Sequence, residues 1–403
     1  MRAHELVDPG ALVRDAAALV QVPSVTGDER AALERLGELA AALGLEPELR
    51  RHDLAALRAH PDHPGEEAPR DELWGLTVRA PGGGAARRVA LCGHVDVVAP
   101  GTVPWAHGPW SGVVADGWLH GRGSVDMKGA TVAALHALAA HARTSGGAVE
   151  AVLLAVASEE DGGLGAFAAV RDDAAFDLCV IPEPTGFDVV CAQAGALTFT
   201  GTVPGVAAHA AQRLEGVSAI DRYVPVHAAL AALEAELNAD VAHPLMRELP
   251  LPYPLLVGRL AAGEWSSSVP DRLDFEGRAP VRVGEDPGAA RAAVEAAVRA
   301  ACPEASVAWT GGQFASAQTD HDGPVARLAL AAVGAELGRP GRVIGVPYGA
   351  DMRLFCAAGV PTVMVGPPGI ELAHAVDERV AVDDLVTTAR VLARILDGAD
   401  APA

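Results

Sequence analysis

Aromatic residues make up only 4% of this 403-residue chain, so its interior has to be built from Ala, Val and Leu. Cysteines are few and scattered. The five, Cys92, Cys179, Cys191, Cys302 and Cys356, are odd in number and form no Cys-x-x-Cys pair. That argues against both a disulfide scaffold and a cysteine-ligated zinc site. Positive charge is also short: 31 Lys and Arg stand against 52 Asp and Glu, a formal net charge of −21. A surface of that sign is repelled by phosphate backbones, which argues against nucleic acid as a partner. No run of about 18 uncharged apolar residues occurs, so no membrane span is expected. Charges at Glu5, Asp8, Arg14 and Asp15 interrupt any apolar leader. The expectation is a reduced, cytoplasmic protein with no membrane association. Half the residues are hydrophobic and 21% are charged, a globular composition. At roughly 100–200 residues per domain, the length suggests two or three domains.

Helical spacing marks residues 9–20 and 28–44, the second closed by Gly44. The stretch 56–72, rich in His, Pro and acidic residues, reads as a surface excursion. Residues 73–80 and 88–92 read as two strands of a hairpin joined by the turn Pro81-Gly82-Gly83-Gly84. A strand over 113–119 and a helix over 129–143 follow. A doubly covered central strand at 149–157, a short helix at 163–170 and a buried strand at 177–181 come next. Strands alternating with helices imply an α/β layer fold. Near 195 the texture changes. A strand at 196–203, a helix from about 216 to 237, strands at 254–260 and 272–280, a helix at 287–301 and a strand at 305–310 have the β-α-β-β-α-β order of a ferredoxin-like sandwich. The α/β texture then resumes, with a helix at 324–337, a strand at 361–365 and a helix at 382–397, before a frayed tail. The chain is thus expected to hold a mixed-sheet α/β domain made of residues 1–194 and 312–403. An α+β unit over 195–311 is inserted into it.

Five segments place metal-capable side chains at strand ends or in Gly-rich loops. In Leu91-Cys92-Gly93-His94-Val95-Asp96, an apolar strand ends in a His, and period-2 geometry can bring Asp96 to the same side. Alone, the segment reads equally as a strand-end His beside a solvated Asp. In Gly121-Arg122-Gly123-Ser124-Val125-Asp126-Met127-Lys128-Gly129, glycines allow a close backbone approach, but Asp126 also suits a helix N-cap. Ser158-Glu159-Glu160-Asp161 follows a buried strand, which is costly unless cations neutralise it, or is a solvated acidic loop. Glu183 sits between Pro182 and Pro184 after another strand, and His374 follows the Gly/Pro loop 366–369. Together, two His and several carboxylates collect where open α/β sheets bind ligands. Their N/O character suits zinc or a related divalent ion, and one carboxylate can bridge two such ions.

In the order and content of these segments the sequence resembles the M20 metallopeptidase and amidohydrolase family, over nearly its whole length. That family includes acetylornithine deacetylases, succinyl-diaminopimelate desuccinylases, aminoacylases and glutamate carboxypeptidases. The resemblance implies a di-metal catalytic domain with an inserted lid, or dimerisation, domain. It implies two divalent ions, Zn2+ with Co2+ or Mn2+ as alternatives, held by His94, Asp126, Glu160, Glu183 and His374. Asp126 would bridge them and precede a cis peptide bond to Met127. Asp96 would orient His94, and Glu159 would be the general base. In Gly205-Val206-Ala207-Ala208-His209-Ala210, His209 matches the lid histidine that, in dimeric members, stabilises the oxyanion in the partner's site. Arg278 matches the lid arginine that holds a substrate carboxylate, though a strand-edge surface Arg is the plainer reading. The sequence departs from the family at Ser267, where many members have Asn three residues before the Pro of Val269-Pro270-Asp271. Tyr348-Gly349-Ala350-Asp351-Met352-Arg353 resembles the deacetylase and deformylase-like branch, with Gly349 lining the cleft. Arg353 is left open between Asp351 and substrate.

The expected activity is hydrolysis of an amide bond, removing a small acyl group from an N-acyl amino acid or related amine. The expected assembly is a homodimer through the lid. A dipeptidase or carboxypeptidase on the same centre, and a deformylase of a heterocyclic amine, are the enzymatic alternatives. A metal-stabilised binding protein without catalysis is the alternative from another class, and Glu159 argues against it.

Overall fold

The structure is a computed structural model, and it describes residues 2–81, 87–145, 147 and 149–400. Its helices are α1 (Pro9–Val20), α2 (Arg30–Ala42), α3 (Leu54–Arg58), α4 (Lys128–Ala142), α5 (Leu164–Asp172), α6 (Ala219–Ala239), α7 (Pro287–Ala301), α8 (Pro324–Leu337), α9 (Met352–Ala357) and α10 (Val382–Ala399). The first strands are β1 (Glu46–Arg51), β2 (Trp74–Arg79), β3 (Arg87–His94), β4 (Val114–Ala115), β5 (Trp118–His120), β6 (Val149–Val156), β7 (Leu178–Ile181) and β8 (Val189–Gln193). The rest are β9 (Gly195–Pro204), β10 (Leu256–Ala262), β11 (Arg272–Val281), β12 (Ser306–Phe314), β13 (Ala317–Gln318), β14 (Val343–Val346), β15 (Thr362–Met364) and β16 (Arg379–Ala381).

The large sheet is mixed, in the order β1-β2-β6-β3-β7-β15-β8-β13, with β14 also paired to β8. Its central strands β6, β3, β7 and β15 run parallel. Both faces are covered, and the alternation along a strand shows how. Val89 and Leu91 of β3 join Ala151, Leu153 and Ala155 of β6 in the core beneath α1, α4, α8 and α10. Ala90, Cys92, Val152, Leu154 and Val156, one residue out of phase, join the core beneath α5 and α9. That is why these strands read as unbroken apolar runs. Helix α4 is buried almost all round between the sheet and the helices α1 and α10, which explains why ten of its fifteen residues are Ala, Leu or Val.

Two sequence expectations change. Residues 74–79 and 87–94 are strands, but they do not pair as a hairpin. β6 lies between them, antiparallel to β2 and parallel to β3. A strand buried on both faces needs a partner on each edge. The β3–α4–β6 crossover supplies one that a tight turn could not. The expected turn at 81–84 lies, apart from Pro81, outside the described residues. The stretch 56–72 is also not purely a surface excursion, because Leu57 and the whole Arg70 side chain are buried. Helix α10 runs to Ala399, with Asp397 accepting a hydrogen bond from the Ala3 amide at 3.1 Å, so residues 397–399 are not the start of a frayed tail as expected. Residues 401–403 lie outside the described residues.

The second sheet is antiparallel, in the order β10-β11-β9-β12, with α6 and α7 on one face. Numbered within the unit, that order is 2-3-1-4, the ferredoxin-like arrangement expected. Phe199, Phe275, Tyr223 and Trp309, four of the chain's sixteen aromatic residues, gather in this smaller core. A third, three-stranded sheet joins β16, β5 and β4. Among the described residues no helix is long and apolar enough to cross a membrane.

Candidate metal centre and substrate cleft

The parallel strands end together, and the candidate residues stand at those ends. His94 is the last residue of β3 and pairs in register with Val156, the last of β6. Glu159 and Glu160 follow β6 by a short turn, in which Ser158 takes a left-handed φ of +69°. Glu183 follows β7 by two residues. Asp126 stands just before α4, at the end of a loop so tight that a Cβ on Gly129 would sit 2.3 Å from the Ser124 carbonyl oxygen.

His94 is fixed at both ring nitrogens. Nδ1 lies 2.9 Å from the backbone carbonyl of Asp96, while Nε2 lies 3.2 Å from Asp126 Oδ1 and 3.8 Å from Glu183 Oε1. The Asp96 carboxylate is 3.6 Å from Nδ1, so the backbone, more than the side chain, meets the ring. That carboxylate accepts instead from the amides of Glu159 at 3.1 Å and Glu160 at 3.0 Å, and from the Thr26 hydroxyl at 3.2 Å. Asp96 therefore sets the path of the acidic turn. The other Asp126 oxygen, Oδ2, lies 3.3 Å from His374 Nε2, and Glu160 Oε1 lies 3.1 Å from the same nitrogen. Asp126 thus faces a different histidine through each oxygen. Its peptide bond to Met127 is cis.

Two further residues hold this arrangement. Glu378 is fully buried, and its Oε1 accepts from the amides of Val125 at 3.0 Å and Asp126 at 3.2 Å. Its Oε2 pairs with the buried Arg122, whose other nitrogen donates to the His374 carbonyl at 3.2 Å. Arg122 lies inside a segment already singled out, between two glycines, and Glu378 stands four residues after His374. Nothing in the spacing pairs them.

The electrostatics favour cations here. Burial raises Glu183 to about 8, with His94 opposing the shift. Burial and then the neighbouring Asp351 hold Glu159 well above the usual carboxylate range. Burial also works against ionisation of Asp126, but hydrogen bonds from His374 and His94 outweigh it and hold Asp126 below that range. One ligand atom each from His94, Asp126 and Glu160 lies within 4.8 Å of the others. Imidazole nitrogens and carboxylate oxygens, gathered where burial penalises bare negative charge, fit a pair of divalent ions.

A cleft of about 500 Å³ opens above the centre, lined by Glu67, Arg278, Phe314, Tyr348 and Gly349 besides the acidic residues and His374. Gly349 is required there, since a Cβ would lie 2.6 Å from Phe314 Cβ. Arg278 stands on the interior strand β11, not at an edge, with Cζ 5.9 Å from the Phe314 ring centroid. Arg353 is buried behind the same ring, 4.0 Å from its centroid, and donates to the carbonyls of Ala350 and Gly162. It lies 3.9 Å from Asp351 and does not line the cleft. Two predicted residues stand elsewhere. His209 and Ser267 are both exposed on the lid surface, joined through the bridge of His209 to Ser268 and the bond from the Ala210 amide to the Ser267 carbonyl. Among the described residues the ring of His209 accepts only a local bond, from the Ala211 amide at 3.1 Å. Glu67 and Phe314 were not singled out by the sequence, which carries no motif for them.

The model of peptidase family M20/M25/M40 matches residues 90–398. The chain belongs to this family. As an M20 protein it is a metal-dependent hydrolase, in agreement with the sequence reading. A succinyl-diaminopimelate desuccinylase of Methylobacterium sp. (strain 4-46) is 32% identical, over 94% of this chain and 93% of that one. A desuccinylase of Methylobacterium nodulans is 30% identical over the same shares. Among solved structures, an M20 metallo-carboxypeptidase of Sulfolobus solfataricus superposes with a TM-score of 0.74 at 15% identity, covering 96% of this chain and 97% of that one. A dinuclear metal-binding M20 peptidase of Bacillus subtilis superposes with a TM-score of 0.63 at 14% identity, covering 96% and 97%. The M20 fold thus extends over the inserted unit as well as the main sheet.

Proposed function

We propose that this M20 hydrolase removes a small acyl group from an N-acyl amino acid or a related amine, using two divalent ions. The observation that carries the reading is the double facing of Asp126. Each of its oxygens meets one histidine, and each histidine has a further carboxylate beside it, Glu183 for His94 and Glu160 for His374. Two adjoining N/O half-sites sharing one carboxylate suit Zn2+, with Co2+ or Mn2+ as substitutes. Three carboxylates against two divalent ions leave one net positive charge, suited to an anionic tetrahedral intermediate. When bound, such ions would lower the pKa of a water toward about 7 and polarise an amide carbonyl.

Glu159 would take the proton of the attacking water and deliver it to the leaving amine, a role worth about 10²–10⁴-fold. Its support is position: nearly buried, on the cleft wall, and held by the grip of Asp96 on its amide. Asp96 would act by positioning. Arg278 would hold a substrate carboxylate through its planar fork. The desuccinylase names of relatives that align over most of the chain favour a succinyl group.

The division into residues 1–194 with 312–403 and an inserted lid at 195–311 belongs to the same reading, as does a homodimer through that lid. Its support is the exposed patch of His209 and Ser267, neither of which lines the cleft of its own chain, together with the exposed Ile220 and Val224 of α6 and Leu256 and Leu260 of β10. In a dimer His209 would complete the partner's site as an oxyanion donor. Five unpaired cysteines suit a reducing, cytoplasmic setting.

The test is amine release by the zinc-loaded protein from N-formyl, N-acetyl and N-succinyl amino acids, dipeptides and uncharged N-acyl amines, with a chelator blank. Chelator-sensitive release from the N-acyl amino acids is expected. Release from dipeptides alone would replace the deacylase with a dipeptidase, and silence throughout would remove the amide substrate.

A further inference from the structure

Among the described residues Glu67 is the one carboxylate lining the cleft that does not belong to the acidic cluster of Asp126, Glu159, Glu160 and Glu183. It comes from the stretch 56–72, far in sequence from every catalytic segment, and its placement is built in detail. Strand β12 has a register shift between Trp309 and Gln313. Into that bulge the chain at 64–68 docks, with the Gln313 amide donating to the Pro64 carbonyl at 2.8 Å. Gly311, at φ +62°, leaves the room: a Cβ there would lie 2.6 Å from Glu67 Cγ. Glu67 Oε1 accepts from the Gly312 amide at 3.2 Å and the Thr198 hydroxyl at 3.1 Å. On its other side the segment is pinned by Asp161, which accepts from the amides of Glu67 at 3.1 Å and Ala68 at 2.8 Å and is itself paired with the buried Arg70.

Thr198 is also the cross-strand partner of Arg278. Directly paired residues project from the same face of a sheet. The cleft wall therefore presents a cation and an anion on either side of one threonine. Among the described residues Arg278 and Glu67 have no ion-pair partner, in each other or in any other side chain. Two opposite charges that line one cleft and flank one threonine without pairing are complementary to a ligand group that also holds both signs.

We propose that Glu67 and Arg278 together read a free α-amino-acid head on the amine half of the substrate, the ammonium on Glu67 and the carboxylate on Arg278. This rests on the deacylase reading. It narrows the substrate to a diamino acid acylated on its distal amine, because where the head's own α-amine is acylated no ammonium stands beside its carboxylate. Glu67 is then a specificity-determining residue. A plain brace between lid and main domain would need only the Oε1 bonds.

The conservative variant separates the two roles. In Glu67→Gln the amide oxygen still accepts from Thr198 and Gly312, but the charge is gone. The probes are Nε-succinyl-lysine and its des-amino analogue, 6-(succinylamino)hexanoate, assayed for succinate release by the zinc-loaded protein. Charge-assisted hydrogen bonds are the strong ones, so the wild-type preference for the lysine compound in kcat/KM should collapse by roughly tenfold to hundredfold in Glu67→Gln. Arg278→Ala should weaken both compounds together, since both keep the carboxylate. Calorimetric binding of lysine against 6-aminohexanoate gives the same comparison without turnover. An equal loss for both compounds in Glu67→Gln makes the residue a brace, and an unchanged preference removes it from recognition. Either result overturns the proposal. If no succinyl amine is cleaved while lysine binding still depends on Glu67, the deacylase reading fails and the paired-charge site stands.

Discussion

Arg122 and Glu378 form a buried ion pair between residues 256 positions apart, and through it the loop of Asp126 is tied to the segment of His374. Glu378 holds the amides of Val125 and Asp126, while Arg122 holds the His374 carbonyl. Removing Glu378 strands the buried guanidinium, an uncompensated charge that typically costs about 3–5 kcal/mol. Glu378→Ala should lose stability of that order in denaturant unfolding. It should also weaken metal binding in competition with a chelating dye. Unchanged metal affinity in a folded variant would detach this pair from the centre.

Glu159→Gln should bind metal as the wild type does, because the half-sites around Asp126 do not include it. Turnover should fall by about 10²–10⁴-fold, the usual worth of a positioned proton carrier. Metal analysis beside steady-state kinetics checks both halves. Near-normal turnover would refute the assignment.

Metal loading should release protons. In the metal-free protein, hydrogen bonds to Asp126 and Glu160 raise His374 from its ordinary 6.5 to about 10, so its ring is protonated at neutral pH. The folded value lies above the ordinary one. The ion pairs of His374 therefore stabilise the metal-free protein fully below pH 6.5, and that contribution is lost as pH rises through about 10. A cation has to displace this proton, so affinity should rise with pH across the neutral range. Calorimetric titrations in buffers of different ionisation enthalpy measure the proton count. A count of zero at pH 7 would contradict the protonated ring.

His209→Ala should lower kcat by about 10²–10³-fold, the usual cost of one oxyanion donor, without changing metal content. If the histidine acts across a dimer, mixing this variant with Glu159→Gln should recover activity. The site lacking His209 in its own chain then receives it from the other. Recovery measured against each variant alone decides the matter: its absence after subunit exchange would rule out action across the dimer, and an unchanged kcat in His209→Ala would place the residue outside the reaction.

The sequence by itself determined which metal-capable side chains stand at the strand ends. A strand buried on both faces must be apolar along its whole length. His94, Glu159 and Glu183 therefore stand out where the runs of 88–92, 149–157 and 177–181 stop, and the glycines around Asp126 mark a backbone under close approach. The β-α-β-β-α-β order of the inserted unit was legible for the same reason, since period and turn residues are local properties.

Pairing and docking are not local, and only the tertiary structure decided them. Alternation in 74–79 and 87–94 says that both are strands, not that β6 comes between them. The carboxylate of Asp96 turned to the amides of Glu159 and Glu160, because those donors arrive from another strand. Arg122 meets Glu378 across 256 residues, and Glu67 enters the cleft that Arg278 also lines because a bulge in β12 and Gly311 make room for a segment from far upstream. Such contacts follow from which surfaces are complementary after folding, and no residue spacing along the chain encodes that distance.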